Sequence, residues 1–453
     1  MPRLTSDDPT AEVTDLLQQL IRNACVNDGD VASGGEARSV DVLAQHLHGT
    51  GLDLEVHEPR PGRANLVARI EGTDADAPVL LLLGHTDVVP ANASRWTHDP
   101  FAGEVVRTED GVDEVWGRGA VDMLNLTASM AVAVRRLADA GFRPRGTLVY
   151  AAVADEEALG TWGAEHLTTE HPDAIRCDYV ITEAGGFPLP SPAGTRLPVI
   201  VGEKGTYWCT LRISGTPGHA SQPWRTDNAV VTAAEVVRRL SSFRPPTVLH
   251  DVWRRFLDGM ALPEEVAAPL LDESRFVAAL DGLPIGMARQ FHACTHTTIA
   301  PTVVHAGTKT NVIPDTADIE LDIRTLPGQV EADVRRLLDE ALGDLAARAE
   351  IVSAHDDPST ASPVETPLWD SIERVTKGFY PDASLIPFLT VGATDARFFR
   401  RRGQTAYGFG LFSRHLTLED YGTMFHGDDE RVDVESLRLS TEMWEALARD
   451  LLG

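Results

Sequence analysis

Two nearly continuous apolar runs, "APVLLLLGHTD" at residues 77–87 and "GTLVYAAVAD" at 146–155, constrain the fold more than any other feature. A strand apolar at successive positions is buried on both faces, the habit of a central strand in a sheet covered by helices. Each run ends in charge: His85 and Asp87 close the first, and Asp155, Glu156 and Glu157 close the second. "LTASMAVAVRRLADAGF" reads as a helix stopped by Gly141, "WGAEHLTTEH" as a second helix, and "CDYVITEAGG" as another strand. Alternating strands and helices predict an α/β layer with helices on both faces of the sheet. Loops beyond the carboxyl ends of such strands carry the chemistry, which singles out His85, Asp87, the three acids at 155–157, and Glu183.

The chain has 453 residues, too many for one ordinary core, so two domains are expected. After Gly205 the pattern changes to strand, helix, two strands, helix, strand, the ferredoxin-like order. Its first helix, "DNAVVTAAEVVRRLSSF", is capped in this reading by Asp227. An insertion at about 245–292 separates that helix from the next strand. Alternation resumes near Pro358. The expected organisation is a discontinuous α/β domain, residues 1–204 and 358–453, interrupted by an α+β domain at 205–357.

With 40 Lys and Arg against 68 Asp and Glu, the net charge is −28, which argues against nucleic-acid or membrane partners. No stretch has the length and apolarity of a membrane span. The N-terminal stretch lacks the pattern of a secretory signal, and the four cysteines have no CxxC spacing. Both point to reduced thiols and a cytoplasmic protein.

Five segments set His, Asp or Glu beside turn residues: "LLLGHTDVVP", "VWGRGAVDMLN", "VADEEALG", "VITEAGG" and "MFHGDDERV". Singly, each has an ordinary structural reading: a hydrogen-bonded histidine, acids favouring a helix N-terminus, or a solvated turn at 428–430. Together they suit a pair of divalent metals, which needs imidazoles, several carboxylates and one bridging ligand. Such a pair lowers the pKa of a bound water, and a further carboxylate must stay free to take its proton. Glu156 and Glu157 can divide that work, one as base and one as ligand, with the metals offsetting their repulsion.

"GHTDVVP", "GRGAVDM", "DEEALG", "TEAGG", "GTPGHASQP", "KTNVIPDTADIELDIR", "GATDARFF" and "FHGDDERV" occur in one order. In this the chain resembles the dinuclear-zinc family of aminoacylases, acetylornithine and succinyl-diaminopimelate deacylases, and glutamate carboxypeptidases. The resemblance runs from His85 to the C-terminal helix. It implies a zinc-peptidase-like catalytic domain with a ferredoxin-like lid and dimerisation domain. It also implies two zinc ions, with cobalt or manganese tolerated by such a donor set. His85, Asp122 and Glu183 would bind one metal and Asp122, Glu157 and His426 the other, Asp122 bridging. Glu156 would be the general base and later acid, and Asp87 would orient His85. His219 would reach a neighbouring subunit's site and steady the oxyanion, making a homodimer through the lid. Asn311, Arg324 and Arg397 match positions that handle substrate polar groups; Arg324 could instead pair with acids on its own strand, and "RFFRRR" also reads as a basic helix face.

The chain departs from relatives with "DMLN" at 122–125 where many have a lysine-containing sequence, and His415 has no assigned role. "HACTH" at 292–296 would place His292, Cys294 and His296 on one face of a strand, a three-ligand pattern without a fourth partner. The implied reaction is metal-dependent hydrolysis, through a dizinc-bound hydroxide, of an N-acyl amino acid or of a short peptide's C-terminal residue. Its alternative is a metal-dependent dipeptidase or aminopeptidase. Glu183, where other relatives carry Asp, tilts the reading toward deacylase or carboxypeptidase.

Overall fold

The structure is a computed structural model that describes residues 8–453. The first seven residues, part of the stretch read above for a signal sequence, lie outside the described residues. A ten-stranded mixed sheet forms the larger unit. Its centre runs Arg63–Ile70, Thr147–Val153, Val79–His85, Tyr179–Thr182, Thr405–Gly408 and Gly194–Glu203. The Val79–His85 strand pairs in parallel with both neighbours, Thr147–Val153 and Tyr179–Thr182. Register then does the positioning. His85 is opposite Val153, and Leu82 opposite Ile181, so His85, residues 155–157 and Glu183 all emerge at one edge.

The helix Leu124–Asp139 starts two residues after Asp122 and is buried from Leu124 to Val134. A helix apolar nearly all round belongs inside the layer, and this one packs against the C-terminal helix Val434–Leu452 and the Val79–His85 strand. Gly84 makes the close approach possible: a Cβ there would lie 2.4 Å from Thr127 Oγ1. The helix thereby pins the loop carrying Asp122 over the sheet edge.

The inserted unit is a four-stranded antiparallel sheet ordered Thr298–Ala306, Thr316–Thr325, Gly205–Ser214, Ala349–Asp357. Helices Ala229–Ser242 and Glu331–Leu342 contribute to its core, so the ferredoxin-like expectation holds. Strand Gly205–Ser214 alternates, with Tyr207, Cys209, Leu211 and Ile213 inward. The chain enters this unit after Glu203 and leaves it near Thr360, and these two residues pair side by side.

Three details differ from the sequence reading. Asn228, not Asp227, caps helix Ala229–Ser242, because its side chain accepts the Val230 N–H at 3.0 Å. Much of the segment at 245–292 joins the larger unit's core: Trp253, Phe256 and Phe276 belong to it, and helix Asp251–Met260 packs on strand Ser384–Thr390. Finally, His292 and Cys294 lie on helix Ile285–Thr295, not on a strand. His292 and His296 stack with ring centroids 4.0 Å apart, and the Cys294 thiol contacts the Leu389 carbonyl. Among the described residues they do not form a metal-sized group. No helix of the described residues is long and apolar enough to cross a membrane.

Candidate metal centre

Asp122 stands at the middle of the sheet edge and divides its two oxygens. Oδ1 lies 3.3 Å from His85 Nε2, and Oδ2 lies 3.0 Å from His426 Nε2. His426 Nε2 is also 3.1 Å from Glu157 Oε2. On the other side, His85 Nε2 is 3.7 Å from Glu183 Oε2 and 4.0 Å from Glu156 Oε2. Donor atoms of His85, Asp122 and Glu157 lie within 4.8 Å of one another, as do those of His85, Glu156 and Glu183. The six residues are thus brought together from five separate segments. Glu156 comes close enough to His85 to share the neighbourhood of Glu183.

The donor set fits divalent metal. Four carboxylates converge on two imidazoles, a concentration of negative charge that only cations make tolerable in a buried site. The Glu157 side chain is enclosed, 4% exposed, with Oε1 accepting no hydrogen bond. Burial, then the charge of Asp122, pushes the Glu157 carboxyl up to about 7. Burial is also the leading cause at Glu183, raised to about 8, and at Glu156, which the Glu183 charge raises further. Hydrogen bonds to Asp122 and Glu157 raise His426 to about 10. At Asp122 burial opposes ionisation, but hydrogen bonds from His426 and His85 prevail and lower its pKa. Each direction is the signature of carboxylates demanding positive charge.

Asp87 does more than the sequence implied. Its backbone carbonyl, not its carboxylate, lies nearest His85 Nδ1, at 2.9 Å, leaving Nε2 to face the centre. The fully buried carboxylate accepts the backbone N–H groups of Glu156 at 3.2 Å and Glu157 at 3.1 Å. The three consecutive acids are then separated by backbone geometry. Asp155 adopts a left-handed conformation (φ 71°) and directs its carboxylate to Arg63, Asn27 and the Trp162 N–H. Glu156 and Glu157 alone turn to the metal side.

Glu430 escaped the sequence reading, which left residues 428–430 as a possible solvated turn. It is fully buried, pairs with Arg118 at 2.8 Å, and accepts the N–H groups of Gly119, Val121 and Asp122. Its partners lie about 310 positions earlier, so local sequence carries no signal for this role.

The remaining candidate residues are engaged in contacts of their own. His219 and Asn311 meet at a small two-stranded antiparallel ribbon of Gly218–His219 and Val312–Ile313, where His219 pairs with Val312 and the Ala220 N–H donates to the Asn311 carbonyl. Arg324 forks onto Asp322 on its own strand and bonds Thr206 Oγ1, the internal pairing weighed as its alternative. Arg397 is buried, 2.8 Å from Asp357 and bonded to the carbonyls of Thr394 and Leu159. Of the "RFFRRR" arginines, Arg400 is buried against Glu203 and Arg401 pairs with Asp357, so that stretch is not a free basic face. His415 is half-exposed and lies 3.6 Å from Glu435.

A mixed sheet with a carboxylate and imidazole centre at its carboxyl edge, interrupted by a ferredoxin-like unit, defines a metallohydrolase of the zinc-peptidase class. The chain belongs to peptidase family M20/M25/M40, whose sequence profile matches residues 81–450. It is 28% identical over 407 residues to Aminoacylase-1 of Homo sapiens, covering 88% of this chain and 87% of that protein. It is 27% identical over 382 residues to N-fatty-acyl-amino acid synthase/hydrolase PM20D1 of Homo sapiens, covering 81% and 73%. In structure it is similar to the M20 family metallo-carboxypeptidase Sso-CP2 from Sulfolobus solfataricus (TM-score 0.70, 17% identity, 98% and 99% covered). The di-peptidase Dug1p from Saccharomyces cerevisiae gives a TM-score of 0.65 at 17% identity, with 98% and 96% covered. The chain is a metal-dependent amide hydrolase.

Proposed function

We propose that this enzyme cleaves the amide of N-acyl amino acids, or the C-terminal residue of short peptides, at two zinc ions. His85, Asp122 and Glu183 would hold one ion and Asp122, Glu157 and His426 the other. The observation that carries this reading is the division of the Asp122 oxygens between the two histidines, with Glu156 beside them. When bound, the metal pair supplies Lewis acidity toward water and toward the amide carbonyl.

The rest falls to the chain's own residues. Glu156 is nearly enclosed, with its side chain 10% exposed, and takes the proton from the attacking water. It then delivers that proton to the leaving amine nitrogen. The Ser221 N–H donates to His219 Nδ1 at 3.2 Å, which makes Nδ1 an acceptor and places the ring proton on Nε2. That tautomer suits donation to the substrate oxyanion. His219 lies in the lid, so we place it in the site of a second subunit, in a homodimer formed through residues 205–357. Residues 1–204 and 358–453, joined by much of the 245–292 segment, would form the catalytic domain. The four cysteines are free and buried, which supports residence in the cytoplasm.

One observation favours the dipeptidase alternative. Asp395 is buried, neither carboxylate oxygen accepts a hydrogen bond, and it packs against Gly160 at the end of the catalytic turn, residues 155–160. A free α-ammonium group would satisfy it. Hydrolysis of N-acyl amino acids, free dipeptides and capped dipeptides, by chelated enzyme and again after zinc is restored, decides between them. Zinc-restored cleavage of acylated substrates supports the main reading. Cleavage confined to free dipeptides moves the assignment to dipeptidase.

A further inference from the structure

Behind the catalytic turn, five buried polar side chains form one chain of contacts: Asp87, Asn27, Asp155, Arg63 and Glu36. None is more than 3% exposed. The Asn27 amide donates to Asp87 Oδ2 at 2.9 Å and to Asp155 Oδ1 at 3.2 Å. Arg63 Nη2 donates to Asp155 Oδ1 at 2.5 Å and lies 2.9 Å from Glu36 Oε1, while Nη1 donates to the Ser33 carbonyl at 3.0 Å. The far end is built to fit. The Glu36 carboxylate presses on Gly34, where a Cβ would lie 2.5 Å from Oε1, and Gly34 has φ 83°.

This arrangement has work to do at the near end. Asp155 occupies the left-handed region, which side chains adopt at a cost, so contacts from outside the turn help to hold it there. Asp155 also lies among acids: Asp87, Glu156 and Glu157. Arg63 is the guanidinium that touches it. A planar fork with fixed donor directions can bond Asp155 and a carbonyl at once while setting its charge beside Glu36, which a lysine point charge cannot.

Resting on the amide-hydrolysis reading above, we infer that Arg63 and Glu36 are positioning residues of the reaction. By fixing Asp155 they set the backbone of Glu156 and Glu157 against Asp87, and so aim the base and a metal ligand from β-strand and helix-start positions outside the site. They touch neither substrate nor metal.

The test uses full-length protein with Arg63→Ala, Arg63→Lys and Glu36→Gln, each checked by thermal melting. Cobalt is titrated into the metal-free proteins and followed by its visible absorption; zinc-loaded forms are assayed for kcat and KM, with and without millimolar ethylguanidinium. The expected result for Arg63→Ala is a kcat about 100-fold lower at little-changed KM. Cobalt affinity should fall about 10- to 100-fold with an altered spectrum, and ethylguanidinium should restore part of both. Arg63→Lys should fall between Arg63→Ala and wild type. Should Arg63→Ala not fold, Glu36→Gln keeps the arginine and should lower kcat about 10-fold. Folded variants with wild-type kcat and cobalt spectrum would overturn the inference, as would a loss of melting temperature alone. A wild-type enzyme that cleaves no amide would sink the functional reading, while the cobalt spectra would still decide the positioning role.

Discussion

His426 and Asp122 meet at 3.0 Å across about 300 residues of chain, on the Asp122 oxygen that faces away from His85. One carboxylate therefore addresses both halves of the centre. The same contact explains the need for Glu430, which grips the backbone of Asp122 from four residues beyond His426.

Asp122→Ala should abolish binding of both metals, whereas His426→Ala should spare the His85 side. Metal analysis after dialysis against zinc reads the difference. Retention of two zinc ions by Asp122→Ala would remove the bridging assignment.

Glu156→Gln should keep two metals and lose about 10²- to 10⁴-fold in kcat, the usual worth of a positioned base. Near-normal turnover by the zinc-loaded variant would show that another group moves the proton.

Glu430→Ala should destabilise the protein by about 3–5 kcal/mol, because it strands Arg118 in the interior and frees three backbone N–H groups. Urea unfolding measures the loss, and a change under 1 kcal/mol would contradict a buried, paired role for Glu430.

Hybrid dimers test whether His219 acts across subunits. His219→Asn and Glu156→Gln are each expected to be nearly inactive. Mixed and reassembled, they should regain roughly a quarter of wild-type activity, since each heterodimer rebuilds one intact site. No recovery, with heterodimers demonstrated, would place His219 in its own subunit's site or outside the reaction.

Acid should weaken the fold through His46. Burial foremost, with the nearby Arg135 charge, lowers His46 from 6.5 to about 4. Its neutral form is the one that folds, so the unfolded chain binds the extra proton. Stability is then full above pH 6.5 and declines as pH falls toward 4, by up to about 3 kcal/mol. Replacing it by His46→Leu should flatten that part of the stability profile in denaturant titrations at several pH values.

Much of this was legible in the linear chain. The apolar runs ending at His85 and at Asp155 announce central parallel strands, because burial on both faces leaves no polar alternation, and the ferredoxin-like order follows from alternating strands such as Gly205–Ser214. The eight ordered motifs named the six residues that the structure gathers. Elsewhere a distant partner decides. The pairing of Arg324 with Asp322 on its own strand was already readable locally, whereas nothing near Arg397 in sequence announces Asp357 and the Leu159 carbonyl as its partners. "HACTH" read as a strand until packing of the 245–292 segment on the larger core made it the end of a helix.

The sequence by itself determined the elements and the donor residues, since periodicity and residue chemistry are local properties. Only the tertiary structure decided how the three neighbouring acids are turned apart. Asp155, Glu156 and Glu157 all carry a carboxylate, and what separates them is a left-handed backbone held by Arg63, Asn27 and Asp87 from elsewhere in the chain. That selection depends on contacts between residues 60 to 130 positions apart, which no local pattern encodes.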